Sequence, residues 1–189
     1  MDDPRDTAGI DRLFTPSSVA VVGASRQEGK TGHEILISLI RGGFEGDIYP
    51  VNPKADEIEG LPCYHDLSAI ESAPDLVVVV VPKGHVKSVI EQAARRGTKA
   101  AIIITAGFKE SGEEGERLER EIVRTARRAG MRLVGPNCLG IMVPGRKLNA
   151  SFGGDLPAAG AIGYFSQSGS LLASIVDMAR AEGIGFSKC

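Results

Sequence analysis

The sequence is poor in the residues that build metal centres, disulfide frameworks and imidazole catalysis. Its three cysteines, Cys63, Cys138 and Cys189, stand far apart and form no C-x-x-C pair. That spacing argues against disulfides or a zinc site and fits a reducing cytoplasm. Only His33, His65 and His85 offer imidazole. None has a cysteine, serine or carboxylate partner at motif spacing, so all three are read as structural or solvated. No apolar run approaches the roughly 20 residues needed to span a bilayer. The acidic start, Met1-Asp2-Asp3-Pro4-Arg5-Asp6, lacks the basic and apolar stretches of a signal peptide. Positive charge is not in excess: 22 Lys and Arg against 24 Asp and Glu leave a net charge of −2. This speaks against a surface that coats nucleic acid.

What is present is ordinary for a globular chain. With 42% hydrophobic and 24% charged residues, 189 residues can hold one good-sized domain, or one and part of another. The first dozen residues read as a loose polar lead-in. A buried strand is predicted at 18–23, then a glycine-bearing loop at 24–32. Ile35, Leu36, Leu39 and Ile40 follow at helical spacing, stopped by Gly42-Gly43. A short strand at 47–51 closes with Asn52-Pro53. The run Leu76-Val77-Val78-Val79-Val80-Val81, ended by Pro82, suits a central parallel strand covered on both faces. A helix at 84–96, a strand at 100–105, a charged helix at 111–129 and a strand at 132–134 complete the series. The charged helix carries Leu118, Ile122, Val123 and Ala126 on its apolar stripe, and its mixed charges read as a solvated face.

Strict strand–helix alternation means a parallel sheet with right-handed crossovers. The expected fold is α/β: a Rossmann-like doubly wound domain over residues 1–142. Residues 143–160 are rich in Gly, Pro, Asn and Ala without periodicity and read as a linker. A strand at 161–165, a helix at 170–181 and a strand beginning at 184 follow. Such a piece cannot bury its own core, so 161–189 is expected to open a second, flavodoxin-like α/β domain that the chain truncates.

Ligands of such sheets bind at the carboxyl ends of the strands. Those ends read Gly23-Ala24-Ser25-Arg26, Asn52-Pro53-Lys54, Val81-Pro82-Lys83, Thr105-Ala106-Gly107 and Gly135-Pro136-Asn137: small, hydroxylated or basic groups. The first loop enters a helix N-terminus, where free N–H groups attract anions. It is not G-x-G-x-x-G, because Ser25 stands at the second glycine, and a turn serving only packing is the other reading. The second loop lacks the acidic residue that holds the ribose in nicotinamide dinucleotide binders. Lys54 there favours a phosphorylated ribose, as in NADP or coenzyme A; the alternative is a solvated turn lysine. Ser166-Gln167-Ser168-Gly169 precedes a helix and reads either as a phosphate cradle or as ordinary serine capping.

Further segments join these loops in a fixed order: Ile48-Tyr49-Pro50-Val51-Asn52-Pro53-Lys54, Ala106-Gly107-Phe108-Lys109-Glu110, Gly135-Pro136-Asn137-Cys138-Leu139-Gly140 and Ile184-Gly185-Phe186-Ser187-Lys188. Together they resemble the coenzyme A-binding N-terminal region of the ADP-forming (NDP-forming) acetate/acyl-CoA synthetases. The chain is similar, more distantly, to the α subunit of succinyl-CoA synthetase. The resemblance implies exchange of an acyl-CoA thioester for phosphate, transfer of the phosphoryl group to a histidine, and its passage to ADP. It implies coenzyme A as cofactor, with ADP or ATP and Mg²⁺ for the complete enzyme only. Partners would be a small acyl acid and a further C-terminal domain or β subunit with a nucleotide-grasp fold, in an oligomer without nucleic acid or membrane.

By the same resemblance Gly23, Ser25, Arg26, Lys30, Thr31 and Lys54 would line the phosphates and ribose of coenzyme A. Pro82, Thr105 and Ala106 would flank its adenine and pantetheine arm, and Asn137 and Cys138 would shape the neighbouring turn. Ser166, Ser168 and Gly169 would hold phosphate. No catalytic or metal-binding residue is expected in this stretch, because the phosphorylated histidine of the family lies beyond Cys189. Ala173 replaces a larger polar residue of succinate-using relatives, which suggests a different acyl substrate. Two other readings stay open: a coenzyme A-binding regulatory module fused to a protein acetyltransferase, and an NADP-dependent oxidoreductase.

Overall fold

The valine-rich runs lie at the centre of the computed structural model, which describes residues 8–189. Helix α1 (Ala8–Phe14) leads into β1 (Ser18–Val22), α2 (Thr31–Arg41) and β2 (Asp47–Val51). A two-plus-two hairpin, β3 (Glu57–Ile58) and β4 (Leu61–Pro62), precedes β5 (Leu76–Val79), α3 (Lys83–Arg96) and β6 (Ala100–Ile103). Then come α4 (Glu113–Arg128), β7 (Arg132–Val134), β8 (Gly140–Val143) and β9 (Leu148–Ser151). The last elements are β10 (Ala159–Gly163), α5 (Gly169–Ala181) and β11 (Phe186–Lys188).

Five strands form one wholly parallel sheet in the order β2-β1-β5-β6-β7. The chain winds outward from β1 to β2, then crosses back to β5 and winds the other way. The order reverses between β1 and β5, and that is where a doubly wound sheet opens a crevice. The two-residue period of a strand sorts its side chains between two layers. Val19, Val21, Leu76, Val78, Ala100 and Ile102 meet Ile35, Leu36 and Leu39 of α2 on one face. Ala20, Val22, Val77, Val79, Ala101 and Ile103 meet Val86 and Ile90 of α3 and Ile122 and Ala126 of α4 on the other. With both faces covered, β5 and β6 have no polar position, which is why they read as unbroken apolar runs.

Two stretches differ from the sequence reading. Residues 8–14 of the lead-in are helical: Leu13 is buried in the first core layer and Arg12 pairs with Asp75 at 2.8 Å. Residues 1–7, also read as part of that lead-in and, over the first six, as the acidic start, lie outside the described residues. The expected irregular linker carries regular structure, since β8 and β9 form an antiparallel hairpin beginning at Gly140. Its Ile141, Val143, Leu148 and Ala150 join the core layer of α2. Asn149 and Ser151 are buried too and satisfy each other, with the Ser151 hydroxyl donating to Asn149 Oδ1 at 2.6 Å. Buried small polar residues in a four-residue strand leave no alternation to detect.

The strand-helix-strand piece after the hairpin has its own small core of Met142, Leu172, Val176, Ala179 and Phe186. β10 pairs with β11 in parallel, and Met142 and Cys189 exchange two backbone hydrogen bonds that join β11 to the hairpin. All five residues of β10 are exposed. Among the described residues no helix is long and apolar enough to cross a membrane.

Candidate functional site: strand-end loops and an adjoining cleft

At the carboxyl end of β1, Gly23 turns the chain with φ of 97°. A Cβ there would lie 2.7 Å from the carbonyl oxygen of Val80, so the neighbouring strand end leaves no space for a side chain. Gly32, in the first turn of α2, is tighter still: a Cβ would sit 2.0 Å from the carbonyl oxygen of Gly23. The helix start therefore abuts the strand end, as a phosphate-cradling loop requires, although the glycine spacing is not that of the dinucleotide fingerprint. Lys30 occupies the N-cap without a side-chain cap bond. Within the loop Ser25 Oγ accepts from the Gln27 amide at 3.0 Å, and the Glu34 carboxylate accepts from the Gly29 amide at 3.0 Å. The Gly29 bond, followed by one from His33, holds the Glu34 carboxyl below the usual carboxylate range. Arg26 and Lys30 are exposed, and Thr31 is half-buried.

Asn52 ties this loop to the next. Its amide donates to the Ala24 carbonyl at 2.7 Å, and its Oδ1 accepts from the Lys54 amide at 2.9 Å. The position where a dinucleotide binder keeps an acid is thus a structural amide, followed by the exposed Lys54. Pro82 stands at the N-cap of α3. The Thr105 hydroxyl donates to the Val81 carbonyl at 2.7 Å, lacing the ends of β5 and β6 together. Beyond the exposed Ala106, the Gly107 amide donates to Glu110 at 2.7 Å, which lowers the carboxyl pKa of Glu110.

Asn137 carries a left-handed φ of 56°, and its amide donates to the Thr105 carbonyl at 3.0 Å. The Cys138 thiol contacts the Ile103 carbonyl at 3.4 Å. Burial pushes its pKa up to about 11, so it is a protonated spacer, not a nucleophile, at neutral pH. Ser168 caps α5: its Oγ accepts from the Leu171 amide at 3.2 Å, while Ser166 Oγ accepts from the Ser168 amide at 3.0 Å. Ser168 thus makes the bond of the capping alternative, while Ser166 closes a local turn before the helix.

The predicted residues fall into three sets. Asn137, Cys138, Ser166 and Gly169 line one cleft of about 660 Å³ between the end of β7 and the start of α5. Gly23, with Asn52, borders a crevice of about 260 Å³ at the β1–β5 reversal. Ser25, Arg26, Lys30, Thr31, Lys54, Pro82, Thr105, Ala106 and Ser168 line neither and stand on the loops and helix starts around them. His65 and His85, read from the sequence as structural or solvated, border the crevice together with Ser88 and Gln92. A signal existed for His85, two residues into a helix that begins beside the switch point. Among the described residues no group of three or more His, Cys, Asp or Glu could hold a metal ion.

A doubly wound sheet whose ligand-end loops carry small, hydroxylated and basic residues, and no ribose-binding acid, defines a binder of phosphorylated nucleotide-like cofactors. Residues 17–144 match the CoA binding domain family, and the chain belongs to it. It is 45% identical over 179 residues to an ADP-forming acetate–CoA ligase I of Archaeoglobus fulgidus, covering 95% of this chain and 26% of the relative. It is 42% identical to the α subunit of an ADP-forming acetate–CoA ligase II of Pyrococcus furiosus, over 95% of this chain and 39% of that one. Among solved structures, a dinucleotide-forming acetyl-coenzyme A synthetase 1 of Ca. Korarchaeum cryptofilum, in complex with phosphate and ADP, superimposes with a TM-score of 0.90. That match has 43% identity and covers 96% of this chain and 39% of the other. The chain thus spans between about a quarter and two fifths of these relatives' length.

Proposed function

We propose that the chain binds coenzyme A at the carboxyl ends of β1, β2, β5 and β6, as part of an ADP-forming acid–thiol ligase. The observation that carries this reading is the pair of loops joined by Asn52. One is an uncapped, glycine-tight helix entry with Arg26 and Lys30; the other offers Lys54 where an acid would select an unphosphorylated ribose. Bound there, coenzyme A supplies a thiol that carries the acyl group as a thioester.

Arg26, Lys30 and Lys54 hold its phosphates, and the hydroxyls of Ser25 and Thr31 orient them beside Gly23. Pro82, Thr105 and Ala106 flank the ring and arm, and Asn137 and Cys138 fix the turn where the cleft begins. Ser166, Ser168 and Gly169 receive phosphate at the start of α5. In this reading residues 1–142 form the coenzyme A domain, 143–160 connect it, and 161–189 open the second domain of the ligase. The complete protein joins a small acid to coenzyme A in the cytoplasm. It uses ADP or ATP with Mg²⁺ on a nucleotide-grasp domain or β subunit within an oligomer.

Isothermal calorimetry with coenzyme A, NADP and NAD tests the proposal. Saturable binding of coenzyme A alone is expected; binding of NADP without coenzyme A would sink it.

A further inference from the structure

His33 is the one histidine that the proposed site leaves unused and the fold buries. Its side chain is 9% exposed, yet each ring nitrogen faces a carboxylate from a different part of the chain. Nδ1 lies 3.2 Å from Glu34 Oε1 on its own helix, and Nε2 lies 3.2 Å from Glu59 Oε1 in the β3–β4 turn. A neutral imidazole has one N–H and one lone pair, so one contact would set a lone pair against a carboxylate oxygen. Only the imidazolium donates to both, and its charge is matched by the two acids around it. Arg41 also acts on Glu34 through its charge.

The chain of contacts does not stop at the histidine. Glu34 Oε1 also accepts from the Gly29 amide, between Arg26 and Lys30. Glu59 is held at φ of 53° in a turn whose other central residue, Gly60, has φ of 75°. Two positive φ values in a two-residue loop make the rigid hairpin turn that matches strand twist. That hairpin follows the Lys54 loop directly, and the chain leaving it is tied back to that loop by the bond from the Asn52 amide to the Tyr64 carbonyl at 2.9 Å.

We propose that His33 is a positioning residue: as an imidazolium it clamps the Arg26–Lys30 loop to the hairpin behind Lys54, setting the spacing of the cations. The proposal rests on the reading of these loops as the coenzyme A phosphate site. The clamp acts on no reacting atom; it orders two loops before the ligand arrives, so that less freedom is lost on binding.

The test uses the 189-residue chain in three forms besides wild type: Glu59→Gln, His33→Gln and Arg26→Ala. Glu59 is partly exposed, so its isosteric amide leaves the core intact even where the buried His33→Gln fails to fold. Nitrogen-15 spectra of the imidazole at neutral pH are expected to show two protonated ring nitrogens in wild type and one in Glu59→Gln. Calorimetry is expected to show coenzyme A affinity reduced about five-fold in Glu59→Gln, with a nearly unchanged Tm. Unchanged affinity in Glu59→Gln, while Arg26→Ala weakens binding, overturns the clamp and leaves the site reading intact. If Arg26→Ala has no effect, the site reading fails instead. The bridge is then decided by the spectrum alone: two N–H signals uphold it and one overturns it.

Discussion

The five-stranded sheet and the β10–α5–β11 piece are both parallel β-α-β constructions, but they are buried to very different degrees. Every residue of β5 and β6 is inaccessible to solvent, whereas every residue of β10 is exposed. Around the second piece Ile162, Phe165, Leu171 and Met178 are between 50% and 73% exposed. A parallel strand gains its stability from layers on both faces. The sheet has two such layers, while the piece leans on the β8–β9 hairpin through one small cluster. The cleft with Ser166 and Asn137 therefore joins a rigid wall to one held by few contacts.

The largest test of this contrast is Ile102→Ala, which opens a cavity in the middle of the sheet. It is expected to cost about 2–5 kcal/mol of global stability, read as a fall in the denaturant midpoint. A loss below about 1 kcal/mol would mean that the sheet is not the stabilising body. Gly32→Ala comes next: the added carbon meets the Gly23 carbonyl, and the overlap is expected to cost about 1–3 kcal/mol. Coenzyme A affinity should fall with it, because the helix must withdraw from the strand end. Retained affinity would show that this close approach serves packing alone.

Cys138 probes the seam between the two regions. Its pKa rises from 9.0 to about 11 through burial, so the unfolded chain ionises first. The stabilisation is complete below about pH 9 and is lost as pH climbs toward about 11, on the order of 2 kcal/mol in all. Thermal melts of Cys138→Ala should show a smaller alkaline decline than wild type; parallel declines would contradict the buried thiol. For Lys54→Ala, coenzyme A binding is expected to weaken about ten-fold and dephospho-coenzyme A binding to change little. Added salt should narrow the wild-type preference between the two ligands. Equal losses for both would move Lys54 from the ribose phosphate to loop support. The smallest effect falls on the weaker region. Leu172→Ala should leave the main unfolding transition within about 0.5 kcal/mol while amide exchange in α5 quickens. A full cooperative shift would show that both regions unfold as one.

The aliphatic runs at 18–22, 76–79 and 100–103 were legible because a strand covered on both faces admits no polar residue. The strand-end loops were legible as well, because Gly, Pro and Asn punctuate the chain where it must turn. The hairpin at 140–151 was not: Asn149 and Ser151 are buried by bonding each other and the backbone, so their polarity mimicked a loop. Nor was the helix at 8–14, where Leu13 is the one buried apolar side chain among the described residues.

At the candidate site the sequence supplied the residue types and the missing acid after β2, since both are properties of local composition. It could not say that Asn52 would be spent on the Ala24 carbonyl. It could not foresee His33 lying between Glu34 and Glu59, because those carboxylates come from neighbouring and distant positions alike. Periodicity and turn chemistry act over a few residues and are written in order along the chain. Which polar groups meet depends on contacts between residues 26 or more positions apart, and only the closed sheet brings those together.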